Sequence, residues 1–178
     1  MNKIDKSDTF LSVIQSNKGI IYKVAYSYCH NVEDRKDLVQ EIIIQVWKSF
    51  DRYDDNFKYS TWIYRISLNV AISFYRKENS RKKKSIPLGD GIIHLPDNYG
   101  FEDKETDLGI LQQMISQLKD LDKALMLLYL EERSHKEISQ IIGISETNVA
   151  TKINRIKNSL KQKFTQLKNQ ENGKYRVD

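Results

Sequence analysis

SHKEISQIIGISETNVATKINRIKNSL, Ser134 to Leu160, is the stretch that decides the fold of the second half of the chain. Ser134 and Glu137 stand in an S-x-x-E capping box, in which the serine hydroxyl and the glutamate carboxylate satisfy amide donors at a helix start. Gly143 tolerates the left-handed conformation that ends such a helix, and Ser145 can cap the next one after a three-residue turn. Ile138, Ile141, Ile142, Ile144, Val149, Ile153, Ile156 and Leu160 supply the shared apolar interior of the two helices. This is the helix-turn-helix pattern, whose second helix enters the major groove of duplex DNA. On that helix Glu146, Thr147, Asn148, Ala150, Thr151, Lys152, Asn154, Arg155 and Lys157 are not needed for the interior. Thr147, Asn148, Thr151 and Lys152 lie early enough to reach base edges, and Arg155 and Lys157 are better placed for phosphates.

Upstream of this motif the 3.6-residue apolar period predicts helices near 107–118 and 120–132, followed by 135–142 and 146–167 within the motif. Before them the pattern stops. Both prolines, Pro87 and Pro96, and four of the seven glycines fall between residues 87 and 109, a segment without helical period that reads as a flexible linker. Residues 85–107 carry six acidic residues against Lys104, a local balance of −5. On either side the charge reverses. Arg76 to Lys84 reads RKENSRKKK, a balance of +5, and Ser145 to Asp178 also sums to +5. Basic runs are often only solvated faces, but two of them at the ends of separate helical blocks point to a polyanionic partner.

The first block is again helical, with helices expected near 8–29, 33–50 and 60–80. Two features of it are not explained by a core. In DLVQEIIIQVW, Asp37 to Trp47, a helical wheel puts Leu38, Val39, Ile42, Ile43, Val46 and Trp47 on one broad half. Ile44 falls among Asp37, Gln40, Glu41, Gln45 and Lys48 on the other, an apolar anchor inside a polar rim. In TWIYRISLNVAISFYRK, Trp62, Arg65, Asn69, Ser73 and Arg76 share a stripe, while Ile63, Ile66, Val70 and Phe74 point elsewhere. The preceding loop places Phe57 and Tyr59 around Lys58, the aromatic and cationic mixture that stacks on unpaired bases and neutralises their backbone.

Taken together the chain reads as an all-α protein of two small helical domains, a bundle of three or four helices over 1–84 and a four-helix domain with the helix-turn-helix over 108–170. A linker over 85–107 joins them, and 171–178 is a tail. Cys29 is the single cysteine, and His30, His94 and His135 are scattered without ligand spacing, so neither a disulfide framework nor a structural zinc site is expected. No cofactor or metal is expected. No apolar run approaches a membrane span and the first ten residues lack a signal-type core, so a soluble, cytoplasmic protein is expected.

DLVQEIIIQVW, then YSTWIYRISLNVAISFYRK, the linker and the helix-turn-helix, in that order and spacing over residues 8–165, closely resemble the extracytoplasmic-function (ECF) sigma factors. These are the two-domain initiation subunits of bacterial RNA polymerase. The resemblance implies that Asp37, Gln40, Glu41 and Ile44 dock on the clamp coiled coil of the polymerase large subunit. It further implies that the segment Asn56 to Arg76 opens promoter DNA and captures a flipped base of the minus-ten element. Asn56, Phe57, Lys58, Tyr59, Trp62, Arg65, Asn69, Ser73 and Arg76 are the candidates for that role. The second domain would read the minus-35 element as duplex, through Thr147, Asn148, Thr151, Lys152, Arg155 and Lys157. The acidic linker would thread toward the active-site channel of the polymerase, and an anti-sigma partner is a family expectation. The chain departs from the common family pattern at Leu68, Ser73, Lys119, Ser139, Asn148 and Ala150.

Two other functions fit parts of the sequence. A helix-turn-helix regulator acting without replacing a sigma subunit predicts a dimer on palindromic half-sites. A metal-dependent nucleic-acid enzyme would have to use Asp51, Asp54 and Asp55, carboxylates in a polar loop with no companion acid at helical spacing. The sigma-factor reading requires no enzymatic activity of the chain itself.

Overall fold

The computed structural model describes residues 3–29, 31–84 and 107–174. Seven helices account for nearly all of them: α1 (Lys3–Tyr28), α2 (Val32–Ser49), α3 (Tyr59–Lys84), α4 (Asp107–Ser116), α5 (Asp120–Leu130), α6 (His135–Ile142) and α7 (Glu146–Lys174). There is no strand among the described residues. Each predicted helix is present, and the all-α class is as expected. The helices α1 and α7 run further than the apolar period suggested, because helix formation propagates cheaply through residues that are not core-facing. Four residues of the expected tail, 171–174, therefore belong to α7. The expected linker lies outside the described residues except for Asp107, which opens α4.

The chain divides into two compact units, Met1–Asp97 and Asn98–Asp178. In the first, α1, α2 and α3 enclose a core of Phe10, Val13, Ile21, Val24, Ala25 and Tyr28 from α1, Leu38, Ile42 and Val46 from α2, and Ile63, Tyr64, Leu68 and Ala71 from α3. The 38/42/46 spacing is one face of a helix, and each such side chain removed from water contributes roughly 1.5–3 kcal/mol. Asn31 starts α2, its side chain accepting hydrogen bonds from the Glu33 and Asp34 amides, and Glu33 and Asp34 place negative charge at the positive end of the helix. After α2 a single 3-10 turn, Phe50–Arg52, leads into the loop before α3.

One expectation for this unit, the core-facing placement of Trp47, is corrected. Trp47 does not join the core; it is 38% exposed, in a T-shaped contact with Phe10 (centroids 4.8 Å apart) and with Lys6 over the indole at 4.8 Å. On α3 the fully buried positions are Ile63, Tyr64, Ser67, Leu68 and Ala71, and Ile66, Val70 and Phe74 are only half-buried. Leu68 is 2% exposed and belongs to the core.

In the second unit Met114, Ala124, Leu125, Met126, Leu128, Ile138, Ile141, Val149, Ile153, Ile156 and Leu160 form the core. Lys119, at the N-cap of α5, has φ −64°, the angle that a proline ring fixes. The chain turns from α5 to α6 with Glu132 at φ 57°. The α6 capping box is complete: the Glu137 amide donates to Ser134 Oγ at 3.2 Å and the Ser134 amide donates to Glu137 Oε2 at 3.0 Å. Gly143 closes α6 in the left-handed region at φ 82°, where any Cβ is strained. Ser145 then accepts from the Asn148 amide at 3.3 Å and starts α7.

Candidate polymerase and nucleic-acid interfaces

Three surfaces carry the residues singled out by sequence. On α2, Asp37 and Gln40 are exposed, Glu41 is half-buried and Ile44 is 44% exposed. Gln45 donates to Glu41 Oε1 at 2.7 Å, which holds the carboxylate in the rim around Ile44. One helical turn beyond Ile44 lies Trp47, so the outer face of α2 offers two large apolar side chains. Periodicity placed Trp47 inside; its partial cover by Lys6, 41 residues earlier in the chain, left no sequence signal.

The second surface is the loop before α3 and the start of that helix. Tyr53 and Tyr59 stack at 4.1 Å with their planes 14° apart, and Tyr53 meets Trp62 edge-on at 5.2 Å. Phe50, buried beneath, stacks more distantly on Tyr59 at 6.4 Å. The Tyr53 hydroxyl donates to the Phe57 carbonyl, and Phe57 in turn faces the Arg65 guanidinium at 5.3 Å. Burial pushes the Tyr53 phenol above its ordinary value, and the nearby Tyr59, Asp55 and Asp54 add to the rise, so the hydroxyl is a donor at neutral pH. Asp54 holds Asn56 through both its backbone and side-chain nitrogens.

Phe57, Tyr59, Trp62 and Arg65 are therefore brought together, each half-buried, with Asn56 and Lys58 exposed beside them. Asn69, Ser73 and Arg76 are exposed further along α3. Trp62 to Arg76 spans about 21 Å of helix, so the stripe is long enough to follow several nucleotides. Tyr53 escaped the sequence reading because loop residues have no period that assigns them a common side. Asp51, one of the three carboxylates considered for metal chemistry, pairs with Lys6 at 2.6 Å. Among the described residues no group of three or more His, Cys, Asp or Glu could hold a metal ion.

The third surface is α7. Val149, Ile153, Ile156 and Leu160 are buried against α5 and α6, leaving Thr147, Asn148, Thr151 and Arg155 exposed and Lys152 half-buried on one flank. Thr151 donates back to the Thr147 carbonyl at 2.8 Å, which leaves its lone pairs and methyl group outward. Lys157 lies on the other flank, its ammonium donating to the Tyr129 hydroxyl at 3.0 Å and sitting 5.0 Å from the centre of that ring. At the foot of α6, hydrogen bonds from Ser134 hold the Glu137 carboxyl below the usual carboxylate range, with Arg133 at 3.5 Å adding to the effect.

Residues 13–81 match the Sigma-70 region 2 family and residues 108–160 the Sigma-70, region 4 family. The RNA polymerase sigma factor SigV of Bacillus subtilis is 30% identical over 148 residues, covering 82% of this chain and 84% of that protein. The ECF RNA polymerase sigma factor SigW of the same organism is 29% identical over 174 residues, covering 90% and 91%. This chain belongs to the ECF sigma factors. It is a specificity subunit of RNA polymerase, and these matches do not favour a regulator that acts without replacing a sigma subunit. Among solved structures, the sigma factor RpoE from Bartonella quintana, in complex with the anti-sigma factor NepR, superposes with a TM-score of 0.61 at 21% identity, covering 91% of this chain and 97% of that one. CnrH, in complex with the cytosolic domain of CnrY, superposes with a TM-score of 0.62 at 17% identity over 88% and 87%. At these identities the likeness is one of fold. No described helix of this sigma factor is long and apolar enough to cross a membrane.

Proposed function

We propose that the three surfaces divide the work of promoter initiation. The α2 face, with Ile44 and Trp47 inside a rim of Asp37, Gln40 and Glu41, docks on the basic clamp coiled coil of the polymerase. The loop and first turns of α3 capture an unstacked base of the minus-ten non-template strand, with Asn69, Ser73 and Arg76 following the strand. On α7, Thr147, Asn148, Thr151 and Lys152 read the minus-35 duplex, and Arg155 and Lys157 bind its phosphates. The protein acts in the cytoplasm and performs no bond chemistry of its own. A protein inhibitor of the anti-sigma kind holds it between rounds of use, in keeping with the complex that RpoE of Bartonella quintana forms with the anti-sigma factor NepR.

The observation that carries this reading is the grouping of Tyr53, Tyr59, Trp62, Phe57 and Arg65 at one end of α3. A folded domain has no need to leave four rings and a guanidinium half-open, whereas an unstacked base needs aromatic faces and positive charge. Flipping costs a few kcal/mol, offset by polymerase and phosphate contacts elsewhere. Transcription from genomic fragments by core polymerase, with and without the protein, tests it. New start sites are expected with the wild-type chain and their loss with Trp62→Ala, under conditions where Trp62→Ala still binds core polymerase. Start sites no different from those of core polymerase alone would refute the reading.

A further inference from the structure

Lysine is ordinarily a solvent-exposed residue, yet the Lys6 side chain is only 21% exposed. It is covered because its ammonium is engaged twice across the first unit. Lys6 Nζ pairs with Asp51 in the 3-10 turn at 2.6 Å and lies 4.8 Å from the centre of the Trp47 ring on α2. Phe10, one helical turn further along α1, is buried and meets the same indole in a T-shaped contact at 4.8 Å. Two side chains of α1 thus clasp Trp47, a ring from the core and a cation at the surface. Phe10 is itself set against Phe50 at 5.5 Å, in the same turn as Asp51. A surface ion pair of this kind contributes little to folding. Its effect is to restrict the rotamers of a large, 38% exposed indole that stands one helical turn from Ile44.

We propose that Lys6 is a positioning residue for polymerase docking: anchored by Asp51, it holds the Trp47 indole in the orientation that the partner meets. An interface that has to immobilise a mobile side chain loses affinity to that ordering, and a side chain already fixed in the free protein avoids the loss. Asp51 has a second effect. The proposed partner is basic, so an unpaired ammonium beside Trp47 would repel it, whereas the Lys6–Asp51 pair is neutral as a whole and keeps a carboxylate that is 71% exposed. The inference rests on the docking reading of α2 and adds to it residues of α1 and the 3-10 turn, outside the segment that carries Asp37, Gln40, Glu41 and Ile44.

A double-mutant cycle on core polymerase binding, with the full chain in competition with labelled protein, tests it. Trp47→Ala is expected to weaken binding about tenfold and Lys6→Ala about fivefold, both with unchanged circular dichroism. Once Trp47→Ala is in place, adding Lys6→Ala is expected to cost less than about twofold, because no indole is left to hold. Lys6→Arg, whose guanidinium can stack on the indole and pair with Asp51, is expected to bind within about twofold of wild type. In a Trp62→Phe background, where Trp47 is the only tryptophan, Lys6→Ala is expected to increase the fast depolarisation of indole fluorescence. Wild-type binding by Lys6→Ala, an equal loss with and without Trp47, or an indole no more mobile in Lys6→Ala overturns the assignment while leaving the docking of α2 intact. If neither Ile44→Ala nor Trp47→Ala weakens binding, the docking reading fails and this inference with it.

Discussion

Ile44 is the residue on which the α2 surface turns. At 44% exposure it is not part of the core, and its neighbours on α2 are polar, the surroundings that the proposed docking requires of an interface rim. Ile44→Ala is therefore expected to leave the thermal unfolding midpoint nearly unchanged and to weaken core polymerase binding by about 1–2 kcal/mol, read by competition with labelled protein. Equal losses in both measurements would make Ile44 a packing residue. Glu137 is the corresponding case for stability. Its carboxyl is held below the usual range by Ser134, so the box contributes stability that is present above the ordinary glutamate value and lost as pH falls through the lowered one. Unfolding of the second unit followed from pH 7 to pH 3 is expected to show this loss, and Glu137→Gln to remove that part of the pH dependence. A wild-type profile identical to that of Glu137→Gln would mean the box is not formed in solution.

At the scale of elements, α3 serves the core on one side and, in the proposed function, the promoter strand on the other. Its buried side includes the hydroxyl of Ser67, fully buried and without a hydrogen-bonding partner among the described residues. Ser67→Ala removes an unsatisfied polar group and adds helix propensity, so it is expected to stabilise the first unit by about 1 kcal/mol in urea unfolding. A destabilisation of that size would mean the hydroxyl has a partner. The recognition helix α7 makes a different demand. Arg155 is exposed and proposed for a phosphate, so Arg155→Ala in the polymerase-bound protein is expected to lower the slope of log K against log salt by about 1, nearly alike for all minus-35 sequences. A change confined to one base position would make Arg155 a reader of bases. The start of α7 was legible because the Gly143 stop and the Ser145 cap act over three or four residues. Which of the stripes on α3 faces inward was not, since Ile66 and Leu68 are equally apolar and only packing against α1 and α2 buries the second.

For the whole molecule, the two modest DNA-reading surfaces proposed for one chain imply that neither binds tightly alone. The free protein is expected to bind duplex promoter DNA weakly at physiological salt, and polymerase is expected to raise its effective affinity by about 100-fold or more by holding both surfaces to one promoter. Fluorescence anisotropy with and without core polymerase measures this, and nanomolar, sequence-specific binding of duplex by the free chain would contradict it. The sequence by itself determined the seven helices, their order, the turn of the helix-turn-helix and the division into two blocks. Each of these rests on neighbours within a turn or two, as at Ser134 with Glu137 or at Gly143. Only the tertiary structure decided what the exposed faces hold: Lys6 brought over Trp47 and onto Asp51, Tyr53 laid on Tyr59, Lys157 drawn to Tyr129. Those contacts join residues whose separation in the chain bears no relation to the helical period, so packing had to choose them.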